Sequence, residues 1–165
     1  MSKKMCKHNN MTEVLPGLWI GGTKKHTELE VAHDLPYWKL SHVAVVETRP
    51  SEFVDFTRFF VCPNYGVPSG LSNPITVYWE TRYWLNEITR YRNDTKTELL
   101  TIVTDLGGHG RSGLYCAIIV AHVLGISGQE AIARLRQMHC EQAVETVEQE
   151  AYVVRIADEL RDWKG

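Results

Sequence analysis

Residues 101–119 read TIVTDLGGHGRSGLYCAII. A β-branched apolar run ends at Thr104, three glycines (Gly107, Gly108 and Gly110) follow, and Arg111-Ser112-Gly113 leads into an apolar helix from about Gly113 to Leu124. The run Leu99–Thr104 is the pattern of a buried strand. Glycines at this density let successive backbone N–H groups turn inward and form a concave nest. The N-terminus of the following helix adds partial positive charge at the same place. Arg111 adds a planar guanidinium suited to two phosphate oxygens. Strand, loop and helix together describe an oxyanion cradle.

Three other accounts of the loop are weaker. Gly108-His109-Gly110-Arg111-Ser112-Gly113 satisfies GxGxxG, but the motif sits late in the chain and no strand with a terminal acid follows about 20 residues on. A Walker loop needs Gly-Lys-Ser/Thr, and the chain has none. A tight turn with a structural arginine does not by itself call for Gly107, Gly108 and Gly110 beside Arg111.

On either side of this segment strands alternate with helices. Glu13–Ile20 reads as a first strand ending at Gly21-Gly22, and Thr27 with Glu30 as the capping box of a short helix over about 28–35. His42–Thr48 is β-branched and apolar, a buried parallel strand, and Arg58–Cys62 is a further short strand. Pro63–Pro74 is rich in turn residues and reads as a loop. Asn73-Pro74 starts a helix to about Arg92, with Val77, Trp84, Leu85 and Ile88 on one face. The tryptophans of this helix read as core. Ser127 with Glu130, and Thr146 with Gln149, are capping boxes for helices reaching about Met138 and Trp163. The expected fold is a single α/β domain with a central, mostly parallel sheet of four to five strands flanked by helices.

Composition narrows the function. The chain has 165 residues, 44% hydrophobic and 23% charged, which suits one folded domain and excludes a disordered chain. A formal net charge of −2 provides no basic field for nucleic acid, so any anion recognition has to be local. The longest strongly apolar stretch, Tyr115–Leu124, is too short to span a bilayer. Residues 1–11 read as a flexible basic tail and residues 12–165 as the domain. Cys6, Cys62, Cys116 and Cys140 are widely spaced with no CxxC pair, so the expectation is a reduced, cytoplasmic chain without disulfides, metal or cofactor.

In their order these parts resemble the protein tyrosine phosphatase superfamily in its small, dual-specificity-sized form. The phosphate loop of that family reads Cys, five residues, Arg, Ser/Thr. Counting back from Arg111 puts the cysteine position at Asp105, with Leu106-Gly107-Gly108-His109-Gly110 between. Cys62-Pro63-Asn64-Tyr65-Gly66-Val67-Pro68 resembles the mobile acid loop, with Asn64 at the aspartate position. Ala143-Val144-Glu145-Thr146, with Gln149 after it, resembles a third loop that orients the hydrolytic water, making Glu145 and Gln149 candidates for that role. Glu13–Gly21 resembles the opening strand. Ser112 stands where active relatives stabilise the leaving thiolate.

The resemblance implies a site that has lost its chemistry. Asp105 replaces the nucleophilic thiolate. Asn64 replaces the general acid, and an amide cannot donate the proton, a loss of roughly 10²–10⁴ in rate. Cys116 sits a turn into the helix, and Cys62 and Cys140 fall in other segments, so none substitutes. A cradle already holding the Asp105 anion repels phosphate. One phosphate charge about 4 Å away costs about 4 kcal/mol at an effective dielectric near 20.

The implied function is that of a pseudophosphatase acting by binding. Its partner would be a phosphorylated protein, a small phosphorylated ligand or the target of an active relative, with no nucleic acid or membrane. Two alternatives keep catalysis. Asp105 could be a nucleophile forming an aspartyl-phosphate, with His109 as acid or base, although such chemistry usually needs a divalent metal. Asp105 could also be an engineered replacement of the cysteine in an active phosphomonoester hydrolase.

Overall fold

The computed structural model describes residues 11–22, 40–46, 57–63, 65–68, 100–105 and 110–162, together with residues 74, 75, 79, 83, 87 and 90–92. Five strands run β1 (Thr12–Leu15), β2 (Leu18–Gly22), β3 (Leu40–Val46), β4 (Thr57–Val61) and β5 (Leu100–Asp105). Among the described residues three helices follow β5: α1 (Gly110–Leu124), α2 (Gly128–Met138) and α3 (Val147–Asp162). The sheet order is β1-β2-β5-β3-β4, with β1 antiparallel to β2 and every other pairing parallel. This is the expected α/β architecture, and the sheet has the upper of the expected strand numbers.

The first expected strand is two. Pro16-Gly17 breaks it into a hairpin, with Leu15 opposite Leu18 and Gly17 at φ 81°. Proline followed by a residue at positive φ is what a type II turn requires, so the turn pair overrides the apolar run around it. The expected strands His42–Thr48 and Arg58–Cys62 are found at Leu40–Val46 and Thr57–Val61. The described residues within 74–91 are helical, as Asn73-Pro74 predicts. Trp79 departs from the expectation of a core residue: it is half-exposed, and its Nε1–H donates to Nε2 of His122 at 3.1 Å. The expected helix at 28–35 lies outside the described residues, as do Val77, Trp84, Leu85 and Ile88.

α1 is apolar all round and buried accordingly, from Ser112 through Ala121. It packs against β1, β2, β3 and β5 and against α2 and α3, so the core lies between sheet and helices with α1 at its centre. Tyr115 meets Phe60 of β4 edge-to-face, with ring centroids 5.2 Å apart. Gly128, the first residue of α2, lets that helix approach α3: an added Cβ would lie 2.7 Å from Cα of Val154. No single helix among the described residues is long and apolar enough to cross a membrane.

Both downstream capping predictions hold. Ser127 accepts the Glu130 N–H at 3.1 Å. Thr146 Oγ1 accepts the Gln149 N–H at 3.1 Å while Gln149 Oε1 accepts the Thr146 N–H at 3.3 Å, a reciprocal box. Cys62 and Cys116 are free, but Cys140 is disulfide-bonded, against the expectation of a fully reduced chain. Its partner lies outside the described residues, and long-range pairing of this kind leaves no signature in cysteine spacing.

Candidate functional site

In a parallel sheet the carboxyl ends of the strands open onto the crevice where ligands bind. β5 ends there with Asp105, opposite Gly22 at the end of β2. Asp105 is only 4% exposed, and its Oδ2 accepts the backbone N–H of Arg111 at 2.9 Å and of Ser112 at 3.0 Å. These are two of the N–H groups that open α1, which the helix itself cannot satisfy. The carboxylate therefore caps α1 from the preceding strand, and the helix begins at Gly110, three residues before the expected Gly113. Glycines that read as loop are tolerated in this first turn because the cap comes from outside it.

Ser112 is fully buried, and its Oγ has no hydrogen-bond partner among the described residues, although its N–H is satisfied. The carboxylate holds the Ser112 amide and not its hydroxyl. The loop residues Leu106, Gly107, Gly108 and His109, and Asn64 of the acid-loop segment, lie outside the described residues.

Cys62 extends β4 toward β3 by donating its N–H to the Val46 carbonyl at 2.9 Å. Its thiol is buried and donates to the carbonyls of Pro63 (3.6 Å) and Gly66 (3.5 Å). Burial pushes the Cys62 thiol up to about 12; the nearby Arg111 charge opposes this and Asp105 reinforces it. Cys116, wholly buried in α1, is pushed up by burial and then by Asp105. Neither thiol has the character of a nucleophile.

The third loop packs directly against the start of α1. A Cβ on Gly113 would lie 2.8 Å from the backbone N of Val144, and a Cβ on Gly110 would collide with the Glu145 carboxylate. Glu145 thus reaches the first turn of α1. Gln149 is fully buried and its amide is committed: Oε1 accepts the N–H of Glu145 at 2.9 Å and of Thr146, and Nε2 donates to the Gly66 carbonyl at 3.0 Å.

Arg136 was missed in the sequence. Its Nε donates to the Ala143 carbonyl at 2.9 Å and Nη2 to that of Val144 at 2.7 Å, and Nη2 also pairs with Glu150. Val144 sits at φ 60°, a strained conformation for a β-branched residue that a surrounding clamp has to enforce. An arginine on a helix gives no sign that it faces a loop instead of water. Among the described residues no group of three or more His, Cys, Asp or Glu could hold a metal ion.

Several solved structures share this fold. Tk-PTP in its active form superposes with a TM-score of 0.54 at 19% identity, over 92% of this chain and 96% of that one. PTPMT1 superposes with a TM-score of 0.64 at 12% identity, over 92% and 96%. The chain has the protein tyrosine phosphatase fold. The human tyrosine phosphatase-like serine/threonine/tyrosine-interacting protein shares that fold with a TM-score of 0.55 at 15% identity, over 92% and 97%. No model of a known protein family matches the sequence, and no curated protein matches it. That fold accounts for the α/β architecture of the described residues.

Proposed function

We propose that this protein is a pseudophosphatase of the protein tyrosine phosphatase superfamily, acting by binding instead of hydrolysis. The observation that carries the proposal is the Asp105 carboxylate seated on the N–H groups of Arg111 and Ser112. Donors suited to an anionic ligand are engaged by the protein's own anion, and the position that resembles the attacking thiolate is held by an oxygen acid. The hydroxyl of Ser112, without a partner among the described residues, fits a seat shaped for a different side chain. With Asn64 at the acid position, neither chemical group of the hydrolytic reaction remains.

In this proposal Arg111, Ser112 and the loop Leu106–Gly110 are an anion cradle filled from within, and Glu145 and Gln149 are remnants of the water-orienting loop. The partner is the protein target of an active relative, engaged through the surface around the cradle. The human neighbour, a tyrosine phosphatase-like serine/threonine/tyrosine-interacting protein by name, agrees with such a role.

The test is hydrolysis of a chromogenic aryl phosphate by the native chain and by the double variant Asp105→Cys, Asn64→Asp. The native chain should stay at background and the double variant should turn over. Turnover by the native chain, with an acyl-phosphate trapped on Asp105 by mass spectrometry, would replace the proposal with an aspartate-based phosphatase.

A further inference from the structure

Two contacts join the third loop to the acid-loop segment across more than eighty residues of sequence. Gln149 Nε2 donates to the Gly66 carbonyl at 3.0 Å, with a sequence separation of 83, and Thr146 Oγ1 donates to the Tyr65 carbonyl at 3.3 Å, with a separation of 81. Both donors belong to the capping box of α3, so the helix cap and the tether are the same two side chains. Each also spends its acceptor inside the box: Gln149 Oε1 takes the N–H groups of Glu145 and Thr146, and Thr146 Oγ1 takes the N–H of Gln149.

On the receiving side the segment is folded to present its carbonyls. Gly66 donates its N–H to Pro63 at 3.0 Å, and Tyr65 holds φ 59°. The Gly66 carbonyl accepts the buried Cys62 thiol as well as Gln149. Gln149 is fully buried, so its bond to Gly66 is partly shielded from competing water, whereas the Thr146–Tyr65 bond is exposed.

We infer that Gln149 and Thr146 are positioning residues that pin the Tyr65–Gly66 turn to the N-terminus of α3. A loop held in this way presents a preformed surface, and a partner docking there pays no ordering cost for it. That consequence for binding rests on the proposed function; the tether itself does not.

Two substitutions separate tether from cap. Gln149→Glu keeps both acceptor bonds and loses the donor to Gly66. Thr146→Asp keeps a good N-cap acceptor and loses the donor to Tyr65. Backbone amide hydrogen exchange, followed on the full chain without ligand, reads the two parts separately. The Gly66 amide reports the turn, and the Glu150 amide, which donates to the Thr146 carbonyl at 3.0 Å, reports the cap. Gly66 should exchange about fivefold to tenfold faster in each variant, with Glu150 unchanged. Acceleration at Gly66 in neither variant or in one alone, or acceleration of Glu150 in step with Gly66, would overturn the inference. The readout involves no phosphate and no turnover, so its failure and the failure of the proposed function are separate results.

Discussion

The backbone N–H of Arg111 donates to Oδ2 of Asp105 at 2.9 Å, so the last residue of β5 fastens the first turn of α1. The same carboxylate that repels an incoming anion is therefore a structural cap, and one substitution should move binding and stability in opposite directions. Asp105→Asn removes a repulsion of about 4 kcal/mol per phosphate charge at roughly 4 Å and an effective dielectric near 20. Phosphate affinity should rise at least ~10-fold, less than the full Coulomb value because solvent screens part of it. Stability should fall by about 1 kcal/mol as two charge-assisted bonds become neutral ones. Isothermal titration with phosphate and urea denaturation measure the two; micromolar phosphate binding by the native chain would contradict the first.

The glycines at the start of α1 should respond differently to alanine. A Cβ on Gly113 would meet backbone, the N of Val144 at 2.8 Å and the Cα of Ala143 at 3.2 Å, neither of which can swing aside. Gly113→Ala should cost about 1–3 kcal/mol in spite of alanine's better helix propensity. The nearest atoms to a Cβ on Gly110 belong to the Glu145 side chain and not to backbone, so Gly110→Ala should cost less, under about 1 kcal/mol. Chemical denaturation of the two variants decides it; equal losses would mean that Glu145 is held as firmly as the Val144 backbone.

Features set by neighbours in sequence were legible. The buried strand before Asp105, the helical residues from Pro74 and the two downstream capping boxes all rest on contacts within a few residues, and the structure has them; the glycine loop lies outside the described residues. Pro16-Gly17 was equally local but was outweighed by the apolar residues on both sides of it. Long-range features were not legible. Nothing in the sequence says that Arg136 turns inward to Ala143 and Val144, or that Gln149 spends its amide on Gly66. Val144 at φ 60° goes against local preference altogether, because the packing of Gly113 beneath it and the Arg136 clamp decide its backbone.

Replacing Arg136 tests that clamp. The guanidinium serves two carbonyls and Glu150 through a planar fork, which a single ammonium cannot reproduce. Arg136→Lys should cost about 1–2 kcal/mol, mostly from the two carbonyl bonds. Glu150→Gln should cost less than about 0.5 kcal/mol, since the paired side chains are 33% and 40% exposed and water screens them. Thermal denaturation would show the ordering; a larger loss from Glu150→Gln would shift the weight from the carbonyls to the ion pair.

Alkaline pH should expose the buried thiol beside the cradle. Burial holds Cys62 at about 12 in the fold, against 9.0 for a free thiol. A thiol whose folded value is raised keeps its proton in the native chain while the unfolded chain releases it. The stabilisation is therefore complete below pH 9 and is lost progressively between about pH 9 and 12. In that window Cys62 contributes a fall of about 1.4 kcal/mol per pH unit, and Cys116, raised for the same reason, adds its own share. Cys62→Ala should remove one share and flatten the decline without changing its direction. Urea denaturation of both proteins from pH 8 to 11 makes the comparison. Parallel slopes would mean that the Cys62 thiol ionises as easily in the fold as outside it, and that the pocket formed by Pro63 and Gly66 is open to water.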